Sequence, residues 1–294
     1  MIDVFASLSV VHKLTEAFQN LENSNTAKIN LNTLSTGGLL DENRDGLLAV
    51  GIINLDAVDQ FLDAINGLQN SKAITIIDNG STAKLKPLLE NNTLITRVLG
   101  IQSHIYQGTL DALDPERIFR LKEIRENSDI SEIVLRTSDV AIFNMNAIRK
   151  SDQCGSLRSN TTGITIEESC QIAKFIGASD LINEVYFIGL NQNNDAYDMM
   201  SINLANMLWY LSEGANLRKI DQYIADSENL VFSVMASPLD HELQFVNSSE
   251  SGRWWVKVPT EESYMYMACS KRDYEMACNN EISLRIKKAL ETEI

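Results

Sequence analysis

Two amides close the apolar run Asp139-Val-Ala-Ile-Phe-Asn-Met-Asn146, at Asn144 and Asn146, where the spacing i, i+2 sets both side chains on one face of an extended strand end. A hard divalent cation at such a place takes anionic oxygens, and an amide offers only a neutral carbonyl, so this pair suits hydrogen bonding far better than metal binding. A carboxylate, Asp78, likewise follows an apolar run, Ala73-Ile-Thr-Ile-Ile77, within Asp78-Asn-Gly-Ser-Thr82. Its first four residues, Asp-Asn-Gly-Ser, are also an ordinary turn sequence, in which Asp78 bonds the backbone of that turn. Three imidazoles are present, His12, His104 and His241, and none stands in an HExxH or HxH spacing. His12 falls on an amphipathic N-terminal stretch, His104 reads as a strand-edge residue, and His241 lacks a neighbouring nucleophile. Cys154, beside Gly155, lies just past the amide pair, but a thiol nucleophile there needs one of those imidazoles as its base. Thr36-Gly-Gly38 lacks the Lys-Ser/Thr of a phosphate loop, which argues against nucleotide hydrolysis.

The elements around these residues alternate. Apolar runs of strand length at 73–77, 140–143 and 184–189 are separated by amphipathic stretches, the pattern of a parallel sheet with helices on both faces. Thr165 and Glu168 form a capping box ahead of Ile166, Cys170, Ala173 and Ile176, and Gly177 is expected to close that helix. A second helix is predicted from about Met200 to Glu213, with Ile202, Ala205, Leu208, Trp209 and Ser212 as its buried stripe and Gly214 as its stop. Asp114-Pro115 predicts a helix reaching about Lys122. After residue 215 short strand-like runs, 230–234 and 243–246, flank a turn at Ser248–Gly252, and a last helix is expected from Lys271 to about Leu290 with Ser270 as its cap.

The chain has 294 residues, 44% of them hydrophobic, enough for one large core, and it is read as a single domain, 1–294. A formal charge of −15 argues against nucleic acid or an anionic membrane as partner and leaves a basic protein or a cationic small molecule open. No run of eighteen apolar residues is present, so no membrane insertion is expected. The start Met1-Ile-Asp-Val-Phe lacks the basic opening of a secretory signal, and the four cysteines show no CxxC pair, which together predict a cytoplasmic protein with reduced thiols.

Several blocks resemble the arginase/agmatinase/formimidoylglutamase, or ureohydrolase, family: Glu167–Asp180, Ala205–Gly214, Ser251-Gly-Arg-Trp-Trp-Val-Lys-Val-Pro259 and Cys269–Cys278, within about residues 95–290. The resemblance implies a three-layer α/β/α fold with a mostly parallel sheet, its N-terminal part shortened, and it implies oligomers. Family members hold two Mn²⁺ ions through three strand-end motifs. By that resemblance Leu40 in Gly37-Gly-Leu-Leu40 replaces a ligand His, Asp78 survives while Gly80 and Thr82 replace a His and an Asp, and Asn144 and Asn146 replace two further Asp residues. The place of a substrate-binding Glu reads Gly189-Leu-Asn-Gln192, where Asn191 persists without the acid.

One ligand position out of six cannot offset the mutual repulsion of two cations, and without them nothing lowers the pKa of a bridging water. The expectation is a ureohydrolase-like pseudoenzyme with no catalytic residue, no metal and no cofactor, acting through a protein partner or self-association. The alternative is a hydrolase of non-peptide C–N bonds, acting on a guanidino or formimidoyl substrate with manganese in an altered or single-metal site around Asp78. In the first case the crevice between Asp78, Asn144, Asn146 and Asn191 is left for a small polar molecule.

Overall fold

A computed structural model of the chain describes residues 2–22, 29–33, 48–67, 72–80, 86–105, 115–153, 161–190, 197–221, 229–236, 241–260 and 263–292. They form two compact units, Met1–Leu217 and Arg218–Ile294. In the first, the described elements run β1 (Ile2–Ala6), α1 (Leu8–Phe18), β2 (Ile29–Thr33), β3 (Leu48–Asn54), α2 (Val58–Asn66), β4 (Ala73–Ile77), α3 (Lys86–Leu89), β5 (Ile95–Ile101), β6 (Ile118–Arg120), α4 (Leu121–Glu126), α5 (Asp129–Arg136), β7 (Val140–Asn144), α6 (Ile166–Ala178), β8 (Glu184–Leu190) and α7 (Tyr197–Asn216). The strands make one sheet in the order β2-β1-β3-β8-β7-β4-β5-β6, with every neighbouring pair parallel.

Parallel neighbours require crossovers, and the crossing helices bury both sheet faces, which is why the central strands are apolar without alternation. Ala141, Phe143, Val185 and Phe187 point into a core completed by α1, α4, α5, α6 and α7. Val140, Ile142, Tyr186 and Ile188 point the other way, under α2 and α3. The result is a three-layer α/β/α unit. No described helix is long and apolar enough to cross a membrane.

The capping box of α6 forms as expected: the Glu168 N–H donates to Thr165 Oγ1 at 3.1 Å, and the Glu168 carboxylate accepts from the Thr165 N–H at 2.7 Å. Arg125 of α4 reaches the same carboxylate through Nε at 2.6 Å and donates to the Gly163 carbonyl at 3.0 Å. Burial alone would raise the Glu168 pKa, but the bonds from Arg125 and Thr165 outweigh it and hold it below the ordinary 4.5. Its contribution to stability is therefore complete above the ordinary value and fades as pH falls through the lower folded one. In urea unfolding across acid pH, Glu168→Gln should flatten this part of the decline; an unchanged acid limb would refute the assignment.

Gly177 and Gly214 do not end their helices. Each lies inside the last turn where α6 crosses α7. A Cβ on Gly177 would run into the Leu211 carbonyl oxygen and sit 2.9 Å from the Ala215 nitrogen, and one on Gly214 would run into the Lys174 carbonyl oxygen and sit 2.9 Å from the Ala178 nitrogen. The buried side of α7 is Met200, Leu204, Ala205, Met207, Leu208 and Leu211, whereas Ile202 is exposed and Trp209 is half-buried. Cys170 of α6 is buried, and burial with the nearby Glu167 pushes its thiol up to about 12.

The expected helix over 114–122 is instead a 3₁₀ turn at Pro115–Arg117, then β6, then α4. Proline does open a helical turn, but Ile118-Phe-Arg120 pairs with the free edge of β5, and that tertiary bond overrides local preference.

The second unit is an antiparallel sheet of β9 (Leu230–Ala236), β10 (His241–Asn247), β11 (Trp254–Pro259) and β12 (Tyr264–Cys269), in the order β12-β11-β10-β9, with α8 (Lys271–Cys278) and α9 (Leu284–Thr292). One predicted last helix is thus two. Asn280, at φ 61°, breaks the run, and the Glu281 N–H turns back to the Met276 carbonyl. Val234, Leu243, Phe245, Val256, Val258 and Cys269 form the core with Ala277, Ile286 and Leu290. Tyr274 of α8 stacks on Trp254 at 5.1 Å, and Trp254 on Phe232 at 5.3 Å. The Ser248–Gly252 turn closes on Asp221, whose carboxylate accepts from Ser248 Oγ at 2.8 Å and Ser251 Oγ at 2.7 Å.

Candidate functional site

Sheet order brings the amide pair and the carboxylate together. β7 lies between β4 and β8, with Phe143 level with Ile77 and Asn144 level with Ile188. The residue that follows Ile77 is Asp78, so the carboxyl ends of three strands deliver Asp78, Asn144 and Gly189 to one place. Open α/β sheets bind ligands at such strand ends.

The three polar side chains bond one another. Asn144 Nδ2 donates to Asp78 Oδ2 at 2.6 Å, while Asp78 Oδ1 accepts the Gly80 N–H at 2.6 Å, the turn bond expected of this sequence. Asn144 Oδ1 accepts from the Asn146 N–H at 3.0 Å and from Asn146 Nδ2 at 3.2 Å. Asn79 Nδ2 donates to the Asn146 carbonyl at 3.3 Å, adding a second tie between the ends of β4 and β7. Asp78 and Asn144 are each 2% exposed.

The surrounding backbone fixes this arrangement. The Asp78 N–H bonds the Leu99 carbonyl, and the Gln102 N–H bonds the Asn79 carbonyl. Gln102 Nε2 and His104 Nε2 both meet Thr162, at its carbonyl and its hydroxyl respectively. Gln153 is buried, donates to the Met145 carbonyl at 2.8 Å and leaves its own Oε1 without a partner. Asn79, Gln102 and Gln153 carry no spacing signal in the sequence, since their roles come from strand order.

Gly189 permits the arrangement. Its φ of +87° belongs to the region that favours glycine, and a Cβ there would lie 2.6 Å from Asn146 Nδ2 and 2.9 Å from Asn144 Oδ1. Gly189→Ala should therefore destabilise the first unit by about 2 kcal/mol through strain and displaced amides. Thermal melts check this, and a variant as stable as the parent would show that the amides are not held as described.

Leu40, Thr82, Asn191 and Cys154 lie outside the described residues. Gly80, with φ +94°, closes the Asp78 turn. Of the histidines in the first unit, His12 stands on α1 at 3.6 Å from Glu16, and His104 is exposed in a turn after β5 rather than on a strand edge; His241 begins β10 of the second unit. Among the described residues no group of three or more His, Cys, Asp or Glu is placed to hold a metal ion. The local donor set of one carboxylate and two amides, bonded to each other, does not fit a pair of divalent cations, which call for several anionic oxygens or imidazoles. As arranged, these groups can join strand ends and neutralise one buried charge by hydrogen bonding. They include no imidazole to act as base.

No protein-family model matches the sequence, and no curated protein matches it. Solved structures do share its fold. The formimidoylglutamase of Bacillus subtilis subsp. subtilis str. 168 aligns at 12% identity over 74% of this chain and 88% of that one, with a TM-score of 0.56. Trypanosoma cruzi formiminoglutamase with Mn²⁺ aligns at 12% identity over 74% and 93%, with a TM-score of 0.59. The arginase of Bacillus subtilis aligns at 12% identity over 71% and 97%, with a TM-score of 0.53. At these identities the likeness is one of architecture, and that architecture is the arginase-like fold.

Proposed function

We propose that this chain is a non-catalytic member of the ureohydrolase group that works through self-association or a protein partner. The observation that carries the reading is the 2.6 Å bond from Asn144 to Asp78. A carboxylate that would face a cation in a metal enzyme here faces an amide, and the two strand ends are joined directly. On this reading the protein takes no manganese and activates no water. A small polar molecule seated between Asp78, Asn144, Asn146 and Asn191 would have to replace that short bond, so a brace is the better-supported role for the described three.

The competing reading, a C–N hydrolase with a single metal at Asp78, predicts opposite results. The purified full chain should keep its thermal midpoint when Mn²⁺ is added, since a ligand that binds only the folded state raises it. It should release neither urea from arginine or agmatine nor formamide from formimidoylglutamate. A manganese-dependent rise in midpoint together with turnover would replace our proposal by the hydrolase.

A further inference from the structure

An asparagine amide followed by glycine is chemically labile, because glycine has no Cβ to keep its backbone nitrogen away from the asparagine Cγ. The nitrogen gives up its proton, bonds to Cγ and expels ammonia, leaving a five-membered succinimide. Water then opens the ring at either carbonyl. The net change is one water taken up, one ammonia released and an aspartyl or isoaspartyl residue formed. The sequence holds two such pairs, Asn66-Gly67 and Asn79-Gly80. Asn66 is the last residue of α2 and half-buried, and Gly67 beyond it is exposed, at a helix end that opens by fraying.

Asn79-Gly80 is held by the strand ends instead. Asn79 is 0% exposed, and Gly80 is buried beside it. The N–H of Gly80, whose nitrogen would attack, donates to Asp78 Oδ1 at 2.6 Å. The Asn79 amide nitrogen, which would leave, donates to the Asn146 carbonyl at 3.3 Å, and the Asn79 carbonyl accepts from the Gln102 N–H at 3.3 Å. Asp78 is itself fixed by Asn144 Nδ2 at 2.6 Å. Both partners in ring closure are thus engaged by other groups, in a place closed to water.

We propose that Asn79-Gly80 is a modification site gated by the brace of Asp78, Asn144 and Asn146: ring closure waits until the strand ends part, and loss of the Asn79 amide then keeps them apart. The aspartyl product sets a second carboxylate next to buried Asp78 and has no N–H to give the Asn146 carbonyl. The isoaspartyl product adds a carbon to the backbone and moves the Gly80 N–H off Asp78. A transient opening becomes a permanent one.

This inference goes beyond the non-catalytic reading and does not depend on it, so measured turnover would leave it standing. Peptide mass spectrometry of the full chain, kept at one mildly alkaline pH with and without guanidinium chloride, follows each amide separately. Native Asn79 should deamidate at least about tenfold more slowly than unfolded Asn79, since attack then needs a local opening. Asn144→Ala leaves residues 78–80 unchanged, and in the folded variant Asn79 should react several-fold faster while Asn66 keeps its parent rate. Should that variant fail to fold, the parent decides by its rate ratio and by a second measurement. Chain deamidated at 79, isolated by anion exchange through its added charge, should melt below the intact chain. Native loss at Asn79 within tenfold of the unfolded rate, a folded Asn144→Ala in which Asn79 gains nothing or Asn66 gains equally, or a deamidated chain as stable as the intact one would each overturn the inference.

Discussion

Replacing either Gly177 or Gly214 with alanine should lower the thermal midpoint of the first unit by roughly 6–12 °C, the equivalent of about 3 kcal/mol. The direction is diagnostic. In an exposed helix interior, glycine to alanine stabilises by about 1 kcal/mol, because the backbone loses freedom and a better helix former is gained. Here the facing helix presents backbone to each new methyl group: the Leu211 carbonyl and Ala215 nitrogen to that of Gly177→Ala, the Lys174 carbonyl and Ala178 nitrogen to that of Gly214→Ala. Backbone cannot swing aside as a side chain can, so α6 and α7 must separate. The two substitutions are relieved by the same separation, and the double variant should lose less than the sum of the singles. Calorimetry of the three variants decides, and a stabilised single variant would mean that the helices do not cross at these positions.

Asn144→Asp should be nearly as damaging at neutral pH, by about 3 kcal/mol, since it removes a donor from a buried carboxylate and sets a second carboxylate against it. Its pH dependence gives the cause. Two adjacent carboxylates raise the pKa at which the pair gives up its last shared proton, above the ordinary aspartate value of about 3.9. The folded variant then holds a proton that the unfolded chain has released, so its stability falls as pH rises through that window. The gap from the parent protein should be narrow in acid and wide at neutrality. A constant gap across pH would mean that the loss is steric. Even with Asn146→Asp added, turnover should not appear, because positions 40 and 80 hold Leu and Gly and supply no imidazole.

The central strands were readable because they are buried on both faces: Ala73–Ile77 formed as predicted, and the runs at 140 and 184 each extend by one residue. The start of α6 was readable because a capping box is a local bond between Thr165 and Glu168. Composition also revealed the turn bond at Asp78, which needs only residues 78 to 80. The partner of Asp78 was not readable. Asn144 lies 66 positions away, and only the crossover that sets β7 beside β4 brings the two into contact. The glycines of α6 and α7 misled for the same reason. A glycine near a helix end is a stop signal locally, and only the packing of a second helix shows that Gly177 and Gly214 are there for closeness.

The Cys170 thiol makes α6 its own reporter. With its pKa at about 12, only about one molecule in 10⁵ carries a thiolate there at pH 7. An alkylating reagent that needs the thiolate must therefore wait for α6 to come away from the sheet, while the exposed Cys278 is open to reaction from the start. The lag between the modifications of Cys278 and Cys170, told apart by peptide mass spectrometry, would time the spontaneous opening of the helical layer without denaturant or dye.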